Sequence, residues 1–580
     1  MSKISRRDLF KAGAAAGLGA MLPGSAHSAK PQGVGQGNQT DLTFVNGRIH
    51  TMDDKGSVVS AVAIRNGRFV SVGGAANPGP GAKVINLKGR TVVPGLIESH
   101  THYVSLANRP GYHVVLELAH NIREVQETLA ARRDALPEVP EGQFITAMGG
   151  WNSNRWDERR LPTLTELDAA VGDRPVFLYQ GGAGPACTNS RGKAFFASVH
   201  SPTVAVGDEG QIGGTIAGIN QASAALYHLR IRQTFEDKKR SAIDAMAYSA
   251  SVGITANLDQ TLVALNSSIQ SLDPQPSHFL FNLDHYRMYD GWLAVHREGG
   301  TLVRLQINFL HNQGFTPELG SDMANQLPEL RERLRNQFQF FGDDMLRTGG
   351  IGEWAAPFAF PTNADGYAVW LEAQKLCAEA RWRNENSRGD VAGIEQVVST
   401  YEQMDTDFGG IAELRWGLQH GDNATPDQLR RLKDLNCGVS TSGFRWTNTA
   451  TTPPANPVGP LFPQMVESGV RLGLHEDGVH IAPHNPWFAL HYATTGLNAR
   501  GVQINSGQQI SRQQALYLYT RGNAWYLNQE DKLGSIEVGK LADLVVLDRD
   551  YFSVSDAAMR ETRPILTVVD GRIVHDAGML

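Results

Sequence analysis

Two histidines, His100 and His102, end the stretch Thr91-Val-Val-Pro94-Gly95-Leu-Ile-Glu98-Ser-His100-Thr-His102. The stretch reads as a buried strand entered through Pro94-Gly95. Side chains alternate between the faces of a strand, so residues two apart share a face. His100 and His102 therefore point the same way at the strand's C-terminal end. Two imidazoles so placed offer part of the N/O donor set that a divalent ion such as zinc takes. On the dipeptide alone, two histidines in a surface loop fit as well, so the surrounding elements decide.

Those elements fall into two kinds. Residues 41–93 are short apolar runs separated by turns. Asn46-Gly47 and Asn66-Gly67 each lie between two such runs, the signature of a tight hairpin. Residues 524–580 repeat this grammar, with a strand over Ala542-Asp543-Leu544-Val-Val-Leu547 and a hairpin about Asp570-Gly571. The two ends are expected to join in one small β-sandwich. Residues 94–523 alternate apolar strands with helical stretches. Phe144–Met148, Val176–Tyr179, 253–257, 302–307, 414–418, 438–441 and 470–474 read as strands, and 426–435 as a helix. The alternation predicts parallel strands with crossover helices, an α/β chain whose middle forms a distorted (β/α)8 TIM-like barrel. Residues 103–173 exceed an ordinary connection and are expected to be an insertion covering the site.

Bulk properties agree with a large globular protein. The chain has 580 residues, 41% hydrophobic and 19% charged, enough for a barrel with an accessory domain. A net charge of −6 gives no reason to expect nucleic acid or an anionic membrane as partner; the expected partner is a small-molecule substrate. Self-association into a homo-oligomer stays open. The three cysteines form no CxxC pair, which argues against a zinc–thiolate site and a disulfide framework.

The N-terminus reads as an export signal. Ser5-Arg6-Arg7-Asp8-Leu9-Phe10-Lys11 precedes a weakly apolar run over 12–22, too short to span a bilayer, and a small-residue cleavage region at 26–29. Paired arginines there resemble a twin-arginine signal. Residues 1–29 are expected to be removed, residues 30–40 to form a flexible leader, and the mature protein to be periplasmic or secreted.

Together these pieces resemble the amidohydrolase superfamily. Pro94-Gly-Leu-Ile-Glu-Ser-His-Thr-His102 is similar to its first barrel strand, and Leu533-Gly-Ser-Ile-Glu537-Val-Gly539-Lys540-Leu-Ala542-Asp543 to the return into its β-sandwich. Gly149-Gly-Trp151, Arg160-Leu-Pro162 and Asp173-Arg-Pro-Val176 narrow the resemblance to the YtcJ-like amidohydrolase 3 group, which includes N-substituted formamide deformylase. The resemblance implies metal-assisted hydrolysis of C–N bonds by a first-strand His-x-His, a carboxylated lysine, two later histidines and a late aspartate. It assigns metal ligation to His100, His102, His420 and Asp477, with Asp477 also the proton shuttle and His420 beside it in catalysis. Alternation puts His475 on Asp477's face, which makes it a further candidate ligand.

Other family positions are changed. Gly352 stands where the lysine is expected, followed by Glu353; Asn386 replaces the fifth-strand histidine; Gly184 replaces another. Glu353 is a candidate substitute carboxylate, although alternation would turn it away from the site. Without the lysine bridge, one divalent ion, zinc by its donors, is expected rather than two. Trp151, Trp354, Phe444 and Asn386 are candidate substrate contacts. The leading reading is a metal-dependent hydrolase of an amide, formamide or cyclic amide, attacked by activated water. The alternatives are lyase or decarboxylase chemistry on the same scaffold, and a catalytically degenerate binding protein.

Overall fold

The computed structural model describes residues 41–74, 78–136, 142–182, 184–260, 287–311, 313–356, 364–479 and 481–580. The proposed signal and leader, residues 1–40, lie outside them. Among the described residues no helix is long and apolar enough to cross a membrane.

Eight parallel strands carry the centre of the molecule: β1 (Leu96–Thr101), β2 (Ile254–Asp259), β3 (Arg304–Phe309), β4 (Leu346–Ile351), β5 (Glu385–Ser387), β6 (Gly417–Gln419), β7 (Gly438–Ser442) and β8 (Arg471–His475). They do not form the closed ladder expected of a barrel. Hydrogen bonding divides them into two four-stranded sheets, ordered β4-β3-β2-β1 and β5-β6-β7-β8. On one side the sheets meet through a parallel bridge between Ile351 and Asn384. On the other side, the buried Asn523 side chain lies between β1 and β8. Its amide donates to the carbonyls of Ile97 (2.6 Å) and Leu474 (2.7 Å), and its oxygen accepts from the Leu474 N–H (3.1 Å). One side chain thus does at this seam what a strand ladder does elsewhere.

The crossover helices follow from local signals. Phe235–Val252 starts at a Thr234/Asp237 capping box and ends at Gly253, whose φ of 89° is left-handed, directly before β2. Pro426–Asp434 starts with Pro at its first turn and a Thr425/Gln428 capping box.

Two of the expected barrel strands belong elsewhere. Ile145–Met148 and Val176–Tyr179 pair with each other in a separate five-stranded sheet with Tyr112–His113, Ala186–Thr188 and Gln211–Ile212. All their residues are buried, as in a barrel strand, so burial pattern alone could not tell which sheet they join. The excursion between β1 and β2 therefore extends well past residue 173.

The chain ends build two further sheets. Four strands order as Arg68–Val72, Val62–Arg65, Leu42–Val45 and Lys83–Asn86; six order as Arg572–Asp576, Pro564–Val569, Leu544–Leu547, Thr91–Pro94, Arg48–His50 and Val58–Val59. Both contribute to one apolar cluster, with Phe44, Val62 and Ile64 from the first and Ile49, Val92, Val546 and Val568 from the second. Asn66-Gly67 and Asp570-Gly571 turn antiparallel hairpins. Asn46-Gly47 does not, because Leu42–Val45 and Arg48–His50 belong to different sheets and the dipeptide is the corner between them. A buried ion pair fastens these sheets to the centre. Arg304, at the start of β3, meets both oxygens of Asp543 at 2.8 Å.

Candidate metal centre

The C-terminal ends of β1, β4, β6 and β8 converge. From β1, His100 and His102 bring their Nε2 atoms to 3.5 and 3.1 Å from Asp477 Oδ1, just past β8. The same two nitrogens lie 3.7 and 3.8 Å from Glu353 Oε2, just past β4. His420, after β6, places Nε2 3.5 Å from Glu353 Oε1 and 3.5 Å from Asp477 Oδ2. The two carboxylates thus face the β1 histidines with one oxygen and His420 with the other. His100 and Asp477 are at most 4% exposed and Glu353 6%.

Backbone conformation aims two of these groups. His420 and Asp477 have φ of 56° and 54°, left-handed values that cost a non-glycine residue energy. Each follows the last residues of a parallel strand, and the turn swings its side chain toward the strand ends. The Gly478 carbonyl accepts from His102 N–H (2.7 Å) and Thr101 Oγ1 (2.6 Å), which ties the Asp477 turn to β1.

Electrostatics match the arrangement. Burial disfavours the Asp477 anion, but the imidazoles of His100, His102 and His420 outweigh it and hold the carboxyl well below the usual range. Glu353 is likewise lowered, burial being overcome by the same histidines. Burial also works against the imidazolium forms of His102 and His420, yet the two carboxylates raise both above the ordinary value. The imidazoles of His102 and His420 and the two carboxylates thus favour one another's charged forms, so an entering cation competes with protons for the same side chains.

The residues fit a divalent ion. Both ring nitrogens of His100 are buried without a hydrogen-bond partner, a state that calls for an ion or water. Donors sharing one zinc at bonds of roughly 2.0–2.2 Å lie about 3–3.6 Å apart, and the 3.1–3.8 Å separations seen here are close to that. His100, His102 and Asp477 form one compact donor group, and His100, Glu353 and His420 a second.

Glu353 reaches this cluster against the alternation argument. β4 ends at Ile351, so Glu353 lies beyond the regular strand and the two-residue period no longer sets its direction. His475 packs against His100 and His420, with ring centroids 4.6 and 4.8 Å away, but belongs to neither donor group. Burial, with the neighbouring imidazoles, pushes it well below its ordinary pKa, and both its nitrogens lack a partner.

The proposed substrate contacts divide. Phe444 stands edge-on to His420, centroids 5.6 Å apart, and forms one wall of the cluster. Trp354 follows Glu353 directly and is half-buried, its carbonyl accepting from the His311 N–H. Asn386 is a correction: its amide accepts from Trp370 Nε1 (3.0 Å) and donates to Gln374 (2.8 Å) and Tyr401 (3.0 Å), away from the donors. On β5 the inward position belongs to Glu385, which pairs with Arg383. Trp151 stacks on Trp156 at 5.0 Å inside the apolar cluster of the five-stranded sheet.

Sequence reasoning missed the groups behind His420. Its Nδ1 lies 2.9 Å from Ser442 Oγ at the end of β7. The Ser442 N–H donates to Asp422 Oδ1 (2.9 Å), and Arg445 donates to Asp422 Oδ2 from Nε (2.8 Å). The His-Gly-Asp spacing from His420 to Asp422 was the one available signal.

Parallel strands whose C-terminal ends present buried imidazoles and carboxylates define a metal-dependent hydrolase of the TIM-barrel type. The family model of the amidohydrolase family matches residues 83–575, and the chain belongs to that family, in its YtcJ-like group. It is 25% identical over 563 residues to the N-substituted formamide deformylase of Arthrobacter pascens, covering 92% of this chain and 98% of that protein. It is 22% identical to the putative amidohydrolase YtcJ of Bacillus subtilis, covering 91% and 98%. Among solved structures, zinc-complexed atrazine chlorohydrolase from Arthrobacter aurescens shares the fold at a TM-score of 0.52 and 15% identity, over 92% of this chain and 95% of that one.

Proposed function

We propose that this protein hydrolyses the C–N bond of a small amide, formamide or cyclic amide with one divalent ion, zinc by its all-N/O donor set. The observation that carries this reading is the convergence of three imidazoles and two carboxylates at 3.1–3.8 Å in a buried position. His100, His102, His420 and Asp477 would hold the ion, with Glu353 as the adjoining donor. When bound, the ion supplies Lewis acidity, which makes water a nucleophile near neutral pH and polarises a carbonyl. Asp477, kept ionised by its histidine neighbours, accepts the proton of the attacking water and delivers it to the departing nitrogen. His420 steadies the second oxygen of both carboxylates, and Phe444 offers the substrate an apolar wall.

Elemental analysis of the purified protein tests the reading: about one metal per chain, lost in His100→Ala. No metal in the parent sinks it. A screen of N-formyl and cyclic amides, read by release of amine or ammonia, then separates hydrolysis from lyase chemistry. Export by the twin-arginine route is part of the proposal. Cys187, Cys377 and Cys437 are buried and free, in keeping with a protein that needs no oxidant to fold. Replacing Arg6 and Arg7 with lysine should trap the precursor in the cytoplasm on cell fractionation.

A further inference from the structure

The imidazole of His420 is held by a chain of side chains from a neighbouring strand. His420 ends β6 in a left-handed turn, and its carbonyl accepts from the Asp422 N–H at 2.7 Å. Asp422, wholly buried, reaches across to β7. One carboxylate oxygen takes the Ser442 N–H (2.9 Å), and the other takes Nε–H and Nη2–H of Arg445 at 2.8 Å each. Ser442, also wholly buried, turns its hydroxyl to His420 Nδ1 at 2.9 Å. The path closes on itself: His420 backbone, Asp422, Ser442, His420 ring. Arg445 anchors it from outside and packs over Phe444, its guanidinium carbon 5.0 Å from that ring.

We infer that Ser442, fixed by Asp422 and Arg445, is a positioning residue that fixes His420 in the tautomer and rotamer presenting an Nε2 lone pair to the ion. The inference rests on the metal reading above. Its physical basis is that an imidazole ligates through one nitrogen, and the partner of the other nitrogen sets which one carries the proton. A Ser442 that accepts from Nδ1–H leaves Nε2 free to ligate. Without the hydroxyl, the ring can take its proton at Nε2 or rotate away from the carboxylates.

The experiment uses the full mature chain and zinc. Affinity is measured by competition with a chromogenic chelator in the parent, Ser442→Ala, Ser442→Thr, Asp422→Asn and Ser440→Ala. Ser440 lies on the same strand but its hydroxyl faces Ser99 at 3.3 Å, so its variant reports on the strand alone. Ser442→Ala should bind zinc about 10- to 100-fold more weakly at unchanged stoichiometry, as loss of a ligand-orienting partner does. Ser442→Thr should restore the affinity, Asp422→Asn should fall between, and Ser440→Ala should match the parent. In parallel, 15N spectra of histidine-labelled protein, recorded at a pH high enough that the His420 ring is neutral and with His420 assigned from His420→Ala, should show a single Nδ1–H tautomer in the parent and a mixture in Ser442→Ala. Equal zinc affinity in Ser442→Ala and parent overturns the inference, as does an equal loss in Ser440→Ala. If the parent binds no zinc, the metal reading fails separately. The tautomer comparison then decides, and an unchanged His420 signal in Ser442→Ala overturns the inference.

Discussion

Asn523→Ala tests how the central strands are closed. The native amide makes hydrogen bonds of 2.6, 2.7 and 3.1 Å to Ile97 O, Leu474 O and Leu474 N, all buried. Truncation leaves these backbone groups without that partner. An orphaned buried polar group costs roughly 1–3 kcal/mol, and carbonyls tolerate it better than N–H groups. The expected loss is about 3–6 kcal/mol in unfolding free energy, measured by urea denaturation with an unchanged m-value. Asn523→Asp separates hydrogen bonding from packing. It keeps the shape and the acceptor for Leu474 N–H, but turns a carboxylate oxygen toward two carbonyls. It should be at least as destabilising as alanine. Because the amide joins β1, which carries His100 and His102, to β8, which carries His475 and precedes Asp477, zinc affinity should fall as well. A loss below about 1 kcal/mol for alanine, or an aspartate variant more stable than the alanine variant, would refute the reasoning.

Three further outcomes follow from the same geometry. Arg304→Met should cost about 3–5 kcal/mol because it strands the buried Asp543 carboxylate, while Arg304→Met with Asp543→Leu should recover most of that; additive losses in the double variant would contradict it. His484 is pushed down to about 3 by burial and then by Arg109, so the unfolded chain binds its proton near 6.5 while the native state refuses it. Stability is therefore lost as pH falls below about 6.5, and His484→Gln should lessen the drop between pH 7.5 and 5.5 by about 1.4 kcal/mol, an equal drop in both proteins counting against the assignment. Gly352→Lys should not create a two-ion site, since a Cβ there lies 3.2 Å from both Asn308 Nδ2 and Glu385 Cβ; we expect a cost of about 1–3 kcal/mol and no second zinc by elemental analysis.

What the sequence disclosed was what lies close together along it. The hairpins at Asn66-Gly67 and Asp570-Gly571 depend on four adjacent residues, and both formed. His100 and His102 share a face because a strand alternates, and the structure brings them to Asp477 and His420. The same alternation misdirected Glu353, because it was applied two residues beyond the end of β4. Asn46-Gly47 has the hairpin residues but joins two sheets, a choice made by partners distant in sequence. Ile145–Met148 and Val176–Tyr179 were legible as buried strands and illegible as to sheet. Asn523, 426 residues from Ile97, and Ser442, 22 residues from His420, act through contacts that no local pattern encodes.

The donors are shared between the two central sheets. His100, His102 and Glu353 come from the β1–β4 half, and His420 and Asp477 from the β5–β8 half. An ion gripped from both sides is a rivet across a seam where isolated contacts, among them the Ile351–Asn384 bridge, the Asn523 amide and the Gly478 carbonyl, stand in for a continuous ladder. Occupancy and rigidity then become a single thermodynamic quantity. Zinc at a hundred times its dissociation constant would add about 2.7 kcal/mol to the folded state. Chelation would return that amount, and the two halves would be the first parts of the molecule to exchange their amide protons.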